Sequence, residues 1–177
     1  MIIRDELLQE HSRKQALRIA HYACSSQANF RELMQCFLGP ENRVAQRAAW
    51  SVSWTALQQP EMIRPYIKDL VACLKRTDIH PALIRNSVRV LEQVDIPEKF
   101  HGDLMNACFG FIETPATPAA IKAFSLTILF RLSDSYPEIR QELKLIIENN
   151  WESEGPAFKS RGRKILAALG KHSRIRG

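Results

Sequence analysis

Glycine is scarce and long apolar runs are missing. Seven glycines in 177 residues are too few for a turn-rich β architecture and favour long helices. No stretch approaches the roughly 20 apolar residues of a membrane span. The opening MIIRDELLQE meets charge at Arg4, which leaves no apolar core for a signal peptide, so a cytoplasmic protein without membrane contact is expected. Cysteine is sparse too: Cys24, Cys36, Cys73 and Cys108 stand far apart, without the close pairing of a zinc site or a disulfide framework, and are expected to be buried reduced thiols. His11, His21, His80, His101 and His172 include no pair three or four residues apart. No metal site is expected. A glycine-rich phosphate loop, a nucleophile elbow and a dense acid cluster are all lacking, so no cofactor is expected and catalysis has no motif behind it.

Acidic residues are missing from one end. From Gly155 onward there is no Asp or Glu, against Lys159, Arg161, Arg163, Lys164, Lys171, Arg174 and Arg176. The net charge of +6 is therefore end-loaded, because the rest of the chain holds 18 basic residues against all 19 acidic ones. A partner attracted by charge would be acidic, either a protein or a nucleic acid.

What is present is a repeat. Arg47 (RAAWSVSW), Arg85 (RNSVRVLE), Lys122 (KAFSLTIL) and Arg161 (RGRKILAA) each open an apolar helical pattern, at spacings of 38, 37 and 39 residues. A near-constant period in this range is the signature of stacked two-helix repeats.

Helix boundaries follow from local signals. Ser12 and Gln15 form a capping box ahead of Ala16, Leu17, Ala20 and Cys24, while residues 2–10 are a short leading helix or an arm. Asn29 is expected to cap a second helix that Gly39-Pro40 ends, the glycine in a left-handed turn. Asn42 opens a helix with Val44, Ala48, Ser51 or Val52, and Leu57 inward. A helix over 62–75 follows Pro60, with Pro65 in its first turn. The next spans 82–94 after His80-Pro81, and another runs from Asp95-Ile96-Pro97 to about Ile112. Thr117 is expected to cap a helix with Pro118 in first position. Pro137 starts one that reaches about Trp151, and Gly155-Pro156 precedes a last helix with Phe158, Ile165, Leu166 and Leu169 inward. Residues 171–177 are expected to be a basic, frayed tail.

The expected fold is all-α, a right-handed α-α superhelix of about four helix pairs plus an N-terminal helix, forming one domain over residues 1–177. In its Pro-Tyr-Ile-x-x-Leu stretch at Pro65 to Leu70, the acid in the connection and the basic residue that follows, the chain resembles HEAT-like repeat proteins. Short bacterial α-solenoids of unassigned function look similar. The resemblance implies that the second helices line a concave side, and that the recurrent cation pairs with the acid before it. Glu41, Asp78 and Glu154 stand six or seven residues before Arg47, Arg85 and Arg161. Lys122 has only Glu113 further back.

The expected function is that of a non-enzymatic interaction module whose concave face binds a protein or nucleic acid. Arg47, Arg85, Lys122 and Arg161 would form a ladder there, Trp50 and Trp54 would be anchors, and Lys159, Arg163 and Lys164 would extend the basic surface. An alternative comes from a more distant resemblance, to the HEAT-like alkylpurine DNA glycosylases. It implies tryptophans and a carboxylate around damaged DNA, and the repeat register offers Glu92 for that acid, seven residues after Arg85 as Trp54 is seven after Arg47.

Overall fold

The computed structural model describes residues 1–175, with side chains as far as Lys171. Among them are ten α-helices and no strand. The chain divides into two compact units, Met1–Ile96 and Pro97–Gly177.

The first unit holds α1 (Ile3–Gln9), α2 (Arg13–Cys24), α3 (Gln27–Leu38), α4 (Asn42–Gln58), α5 (Ile67–Cys73) and α6 (Pro81–Leu91). Its centre is α4, which packs on α1, α2, α3 and α6. Small side chains make that possible: Ala45, Ala48, Ala49, Ser51, Ser53, Thr55 and Ala56 are all at most 1% exposed. Two of the buried hydroxyls bond back into their own helix, Ser53 Oγ to Ala49 O at 3.1 Å and Thr55 Oγ1 to Ser51 O at 3.0 Å. They are thereby satisfied without a partner helix. The pairs are α1 with α2, α3 with α4 and α5 with α6, and α2, α4 and α6 form a row of second helices. The leading segment is thus a helix and completes a pair, with Ile3 and Leu7 buried.

The second unit holds α7 (His101–Glu113), α8 (Ala119–Leu132), α9 (Ile139–Asn149) and α10 (Pro156–Ile175). Helix α8 packs on α7, α9 and α10. Phe158, Leu104, Leu126, Leu129, Leu143 and Ile147 form its fully buried core. Leu166 is only half-buried, beside the expected Ile165 and Leu169. The expected tail lies largely outside the described residues, since Arg176, Gly177 and the side chains of 172–175 are not described. The backbone continues α10 to Ile175.

Several local expectations are corrected. Ser26, not Asn29, caps α3: its hydroxyl accepts from Asn29 N at 3.1 Å, and Asn29 turns back to Ser25 Oγ and Tyr22 O. Ser12 does cap α2, accepting from Gln15 N at 3.1 Å. The Gln15 side chain, however, donates to Glu6 O and Glu6 Oε2 instead of closing the box. Gly39 has φ −74° and ψ 169°, so no left-handed turn is made. Its need for glycine is steric, because a Cβ there would stand 2.7 Å from Gln35 O. Leu57 is 49% exposed, not inward.

The segment expected as one helix from 62 to 75 consists of 3-10 turns at Pro60–Met62 and Arg64–Tyr66 followed by α5. Pro65 cannot donate to the ladder, which keeps the first turns tight. A 3-10 turn at Glu98–Phe100 likewise precedes α7. Pro118 is the N-cap residue of α8 with extended backbone, and Thr117 makes no cap bond. Helices α6 and α9 stop short of the expected ends, at Leu91 and Asn149.

Candidate interaction face on the second helices

Burial leaves α4 a single open stripe. Arg43, Gln46 and Leu57 are exposed and Arg47, Trp50 and Trp54 half-buried, a spacing of three and four that keeps them on one face. Because α2 and α6 pack on either side of α4, this stripe lies between them.

The start of α2 and the turn before it lean on both tryptophans. His11 meets Trp50 edge to face with ring centroids 5.7 Å apart, and the Arg13 guanidinium lies 5.5 Å from the centre of the Trp54 ring. The indole N–H of Trp54 is buried and has no hydrogen-bond acceptor among the described residues. A buried indole N–H usually finds a partner. His11 and Arg13 carry no motif of their own in the sequence; only the packing of α2 on α4 places them here. Arg43 and Arg89 likewise lie outside the repeat register that picks out Arg47 and Arg85.

The recurrent cations differ in use. One terminal nitrogen of Arg47 donates to Leu7 O at 2.8 Å and Leu8 O at 3.1 Å. Those carbonyls belong to the last turn of α1, where no intrahelical donor is available. Lys122 is 2% exposed, and its ammonium bonds Glu154 in a closely held, buried ion pair. It has no surface to offer a partner, which removes it from the expected binding ladder. Arg161 bonds Thr127 Oγ1 and lies 5.8 Å from the Phe124 ring centre. In the second unit these two cations therefore fasten α8 and α10 to each other and to the turn before α10. Arg85 is exposed and makes no hydrogen bond or ion pair with a described residue.

The expected pairing of each cation with the acid before it is overturned. Glu41 forms a two-point pair with Arg4, at 2.8 and 2.9 Å, and Asp78 one with Arg76, at 2.6 and 2.9 Å. Each guanidinium holds its partner carboxyl below the usual carboxylate range through the hydrogen bond. Glu154 pairs with Lys122, the one cation with no acid six or seven residues before it. A long, flexible side chain chooses among all neighbours in three dimensions, so sequence offset is a poor guide to the choice.

On α10, Lys164 and Arg163 are exposed and Lys159 half-buried, with Arg163 6.0 Å from the centre of the Trp151 ring. Glu92 follows the last residue of α6 and is half-buried and engaged, its N–H donating to Val88 O. No group of His, Cys, Asp and Glu among the described residues could hold a metal ion. Two shallow clefts occur in the first unit. One of about 190 Å³ is lined by Pro60, Glu61, Arg64, Ile67, Val94 and Asp95, and one of about 180 Å³ by Arg4, Glu32, Cys36, Glu41 and neighbours. Burial raises the Cys36 thiol, so that cleft holds no activated nucleophile.

Charge is sorted by helix row. Among the described residues no Asp or Glu stands within α2, α4, α6, α8 or α10, whereas α1, α3, α5, α7 and α9 all carry at least one. The one-sided charge expected for the C-terminal segment alone thus holds in every second helix.

No described helix is long and apolar enough to cross a membrane. Neither curated proteins nor solved structures gave a match. A family model described as a HEAT repeat domain matches residues 3–169. With its helix pairs, its row of second helices and a match over nearly its whole length, the chain belongs to the HEAT repeat family of α-solenoids.

Proposed function

We propose that the chain is a non-enzymatic interaction module that binds an acidic macromolecular partner on the open faces of its second helices. HEAT repeats generally mediate protein interactions. The observation that carries the acidic character of the partner is the absence of Asp and Glu from every second helix, with Arg43, Arg85 and Lys164 exposed there. A surface of one sign attracts a partner of the other and repels its own kind. Trp50 and Trp54 serve as anchors, being large, half-buried and rimmed by Arg13, Arg43 and Arg47, the arrangement that concentrates binding energy. In the second unit, Lys159 and Arg163 give α10 the same sign of charge. The contribution of Arg47 and Arg161 is indirect, since their nitrogens already bond within the fold.

Titration with a polyanion, heparin for instance, followed by tryptophan fluorescence tests this reading. Saturable binding in low salt that weakens as salt is added is expected. No response at low ionic strength would show it to be wrong.

A further inference from the structure

The open face in the first unit has properties that select among acidic partners. Its cations recur from helix to helix: Arg13 on α2, Arg43 on α4, Arg85 and Arg89 on α6. Each helix of this packed row therefore adds positive charge to the face. A discrete acidic peptide needs clustered cations with apolar pockets between. A polymer with a charge on every unit suits cations spread over successive helices. The cations are arginines, whose planar five-donor fork fits phosphate oxygens in pairs. Arg43, Arg85 and Arg89 make no hydrogen bond or ion pair with a described residue, so their donors are available.

Aromatic rings stand within the same array. Trp50 and Trp54 are one helical turn apart, about 6 Å along the axis at 1.5 Å per residue. Each is bordered by a planar cation or imidazole, Arg13 and His11. Indole and guanidinium planes are the surfaces on which unpaired bases stack, and duplexes, whose bases are already stacked, cannot use them.

We infer that this face takes single-stranded nucleic acid, with Arg43, Arg85 and Arg89 on phosphates and the Trp50–Trp54 pair, with its His11 and Arg13 borders, against bases. The inference rests on the acidic-partner reading above and narrows it to one polymer.

The test uses the full chain and fluorescein-labelled 20-nucleotide single strands of RNA and DNA, the matching duplexes, and polyglutamate as competitor, read by anisotropy over a salt series. Single strands are expected to bind at least tenfold tighter than duplexes and to quench tryptophan fluorescence. Each removed phosphate contact should lower the slope of log affinity against log salt by about 0.7, so Arg85→Gln, a surface change that leaves the core untouched, should do so once. Trp54→Phe, which keeps a ring but loses the N–H, should retain most affinity, while Trp54→Ala should lose about tenfold or more. If Trp54→Ala unfolds, the Arg85 slope and the quenching decide. Polyglutamate competing as well as the single strand at equal charge would overturn the inference and leave the acidic-partner reading standing, with a protein as the partner. Failure of every polyanion to bind would overturn both.

Discussion

Lys122 and Glu154 are the clearest case in which a charged residue serves the fold. Their side chains are 3% and 11% exposed, so neither tolerates loss of the other. Lys122→Ala should destabilise the protein by about 3–5 kcal/mol, because it leaves a buried carboxylate unpaired. Lys122→Met combined with Glu154→Leu should recover most of that loss, and urea unfolding of the single and double variants measures the coupling. A second consequence concerns thiols. Burial pushes the Cys108 thiol up to about 12, with the nearby Ser125 hydroxyl opposing, and it raises Cys73 as well. The folded state thus holds these protons longer than the unfolded one. Stability is full below the ordinary thiol value near 9 and falls as pH rises from there toward 12. Cys108→Ala should flatten that alkaline loss, read from denaturation midpoints at pH 8 and 10.5. At this scale the sequence was partly legible: the recurrent cations stood out by period, yet their partners did not. Lys122 found Glu154, 32 residues on, because helix packing and not chain offset sets which acid is near.

Helices and their ends were more legible than side-chain pairs. Serine, proline and glycine act locally, so the starts of α2, α4 and α6 and the breaks between pairs followed from neighbouring residues. Where a local signal misled, packing decided. Asn29 suits a cap by residue type, but the hydroxyl of Ser26 takes the Asn29 N–H. Leu57 fits the apolar period of α4 but falls on the stripe that no neighbouring helix covers. The glycines make this testable. A Cβ on Gly162 would stand 2.9 Å from Ile147 Cγ2 and 3.2 Å from the Trp151 ring. Gly162→Ala should therefore cost about 1–3 kcal/mol by overpacking α9 against α10. Gly110, inside α7 with nothing within 4 Å of a Cβ, should behave oppositely, Gly110→Ala adding about 0.5–1 kcal/mol through helix propensity. Thermal unfolding of the two variants side by side distinguishes steric from conformational roles.

The whole molecule is organised by the sorting of charge between its two kinds of helix. Acidic residues are confined to the first helices and the connections, a pattern that emerges only once helix boundaries are known. In the sequence it surfaced solely at the C-terminal end, where connections no longer dilute it. The division also allows placement of charge to be separated from its amount. Arg43 and Arg85 are exposed on second helices, Arg31 and Lys68 on first helices, all four within the first unit. Two variants, Arg43→Glu with Arg85→Glu and Arg31→Glu with Lys68→Glu, change net charge equally. The decisive measurement is the affinity of both for a labelled single-stranded 20-mer at one low salt concentration. The second-helix variant should lose at least tenfold relative to the unaltered protein, and the first-helix variant should stay within about threefold. Equal loss in the two would mean that net charge alone governs attraction and that the second-helix face is not the binding surface.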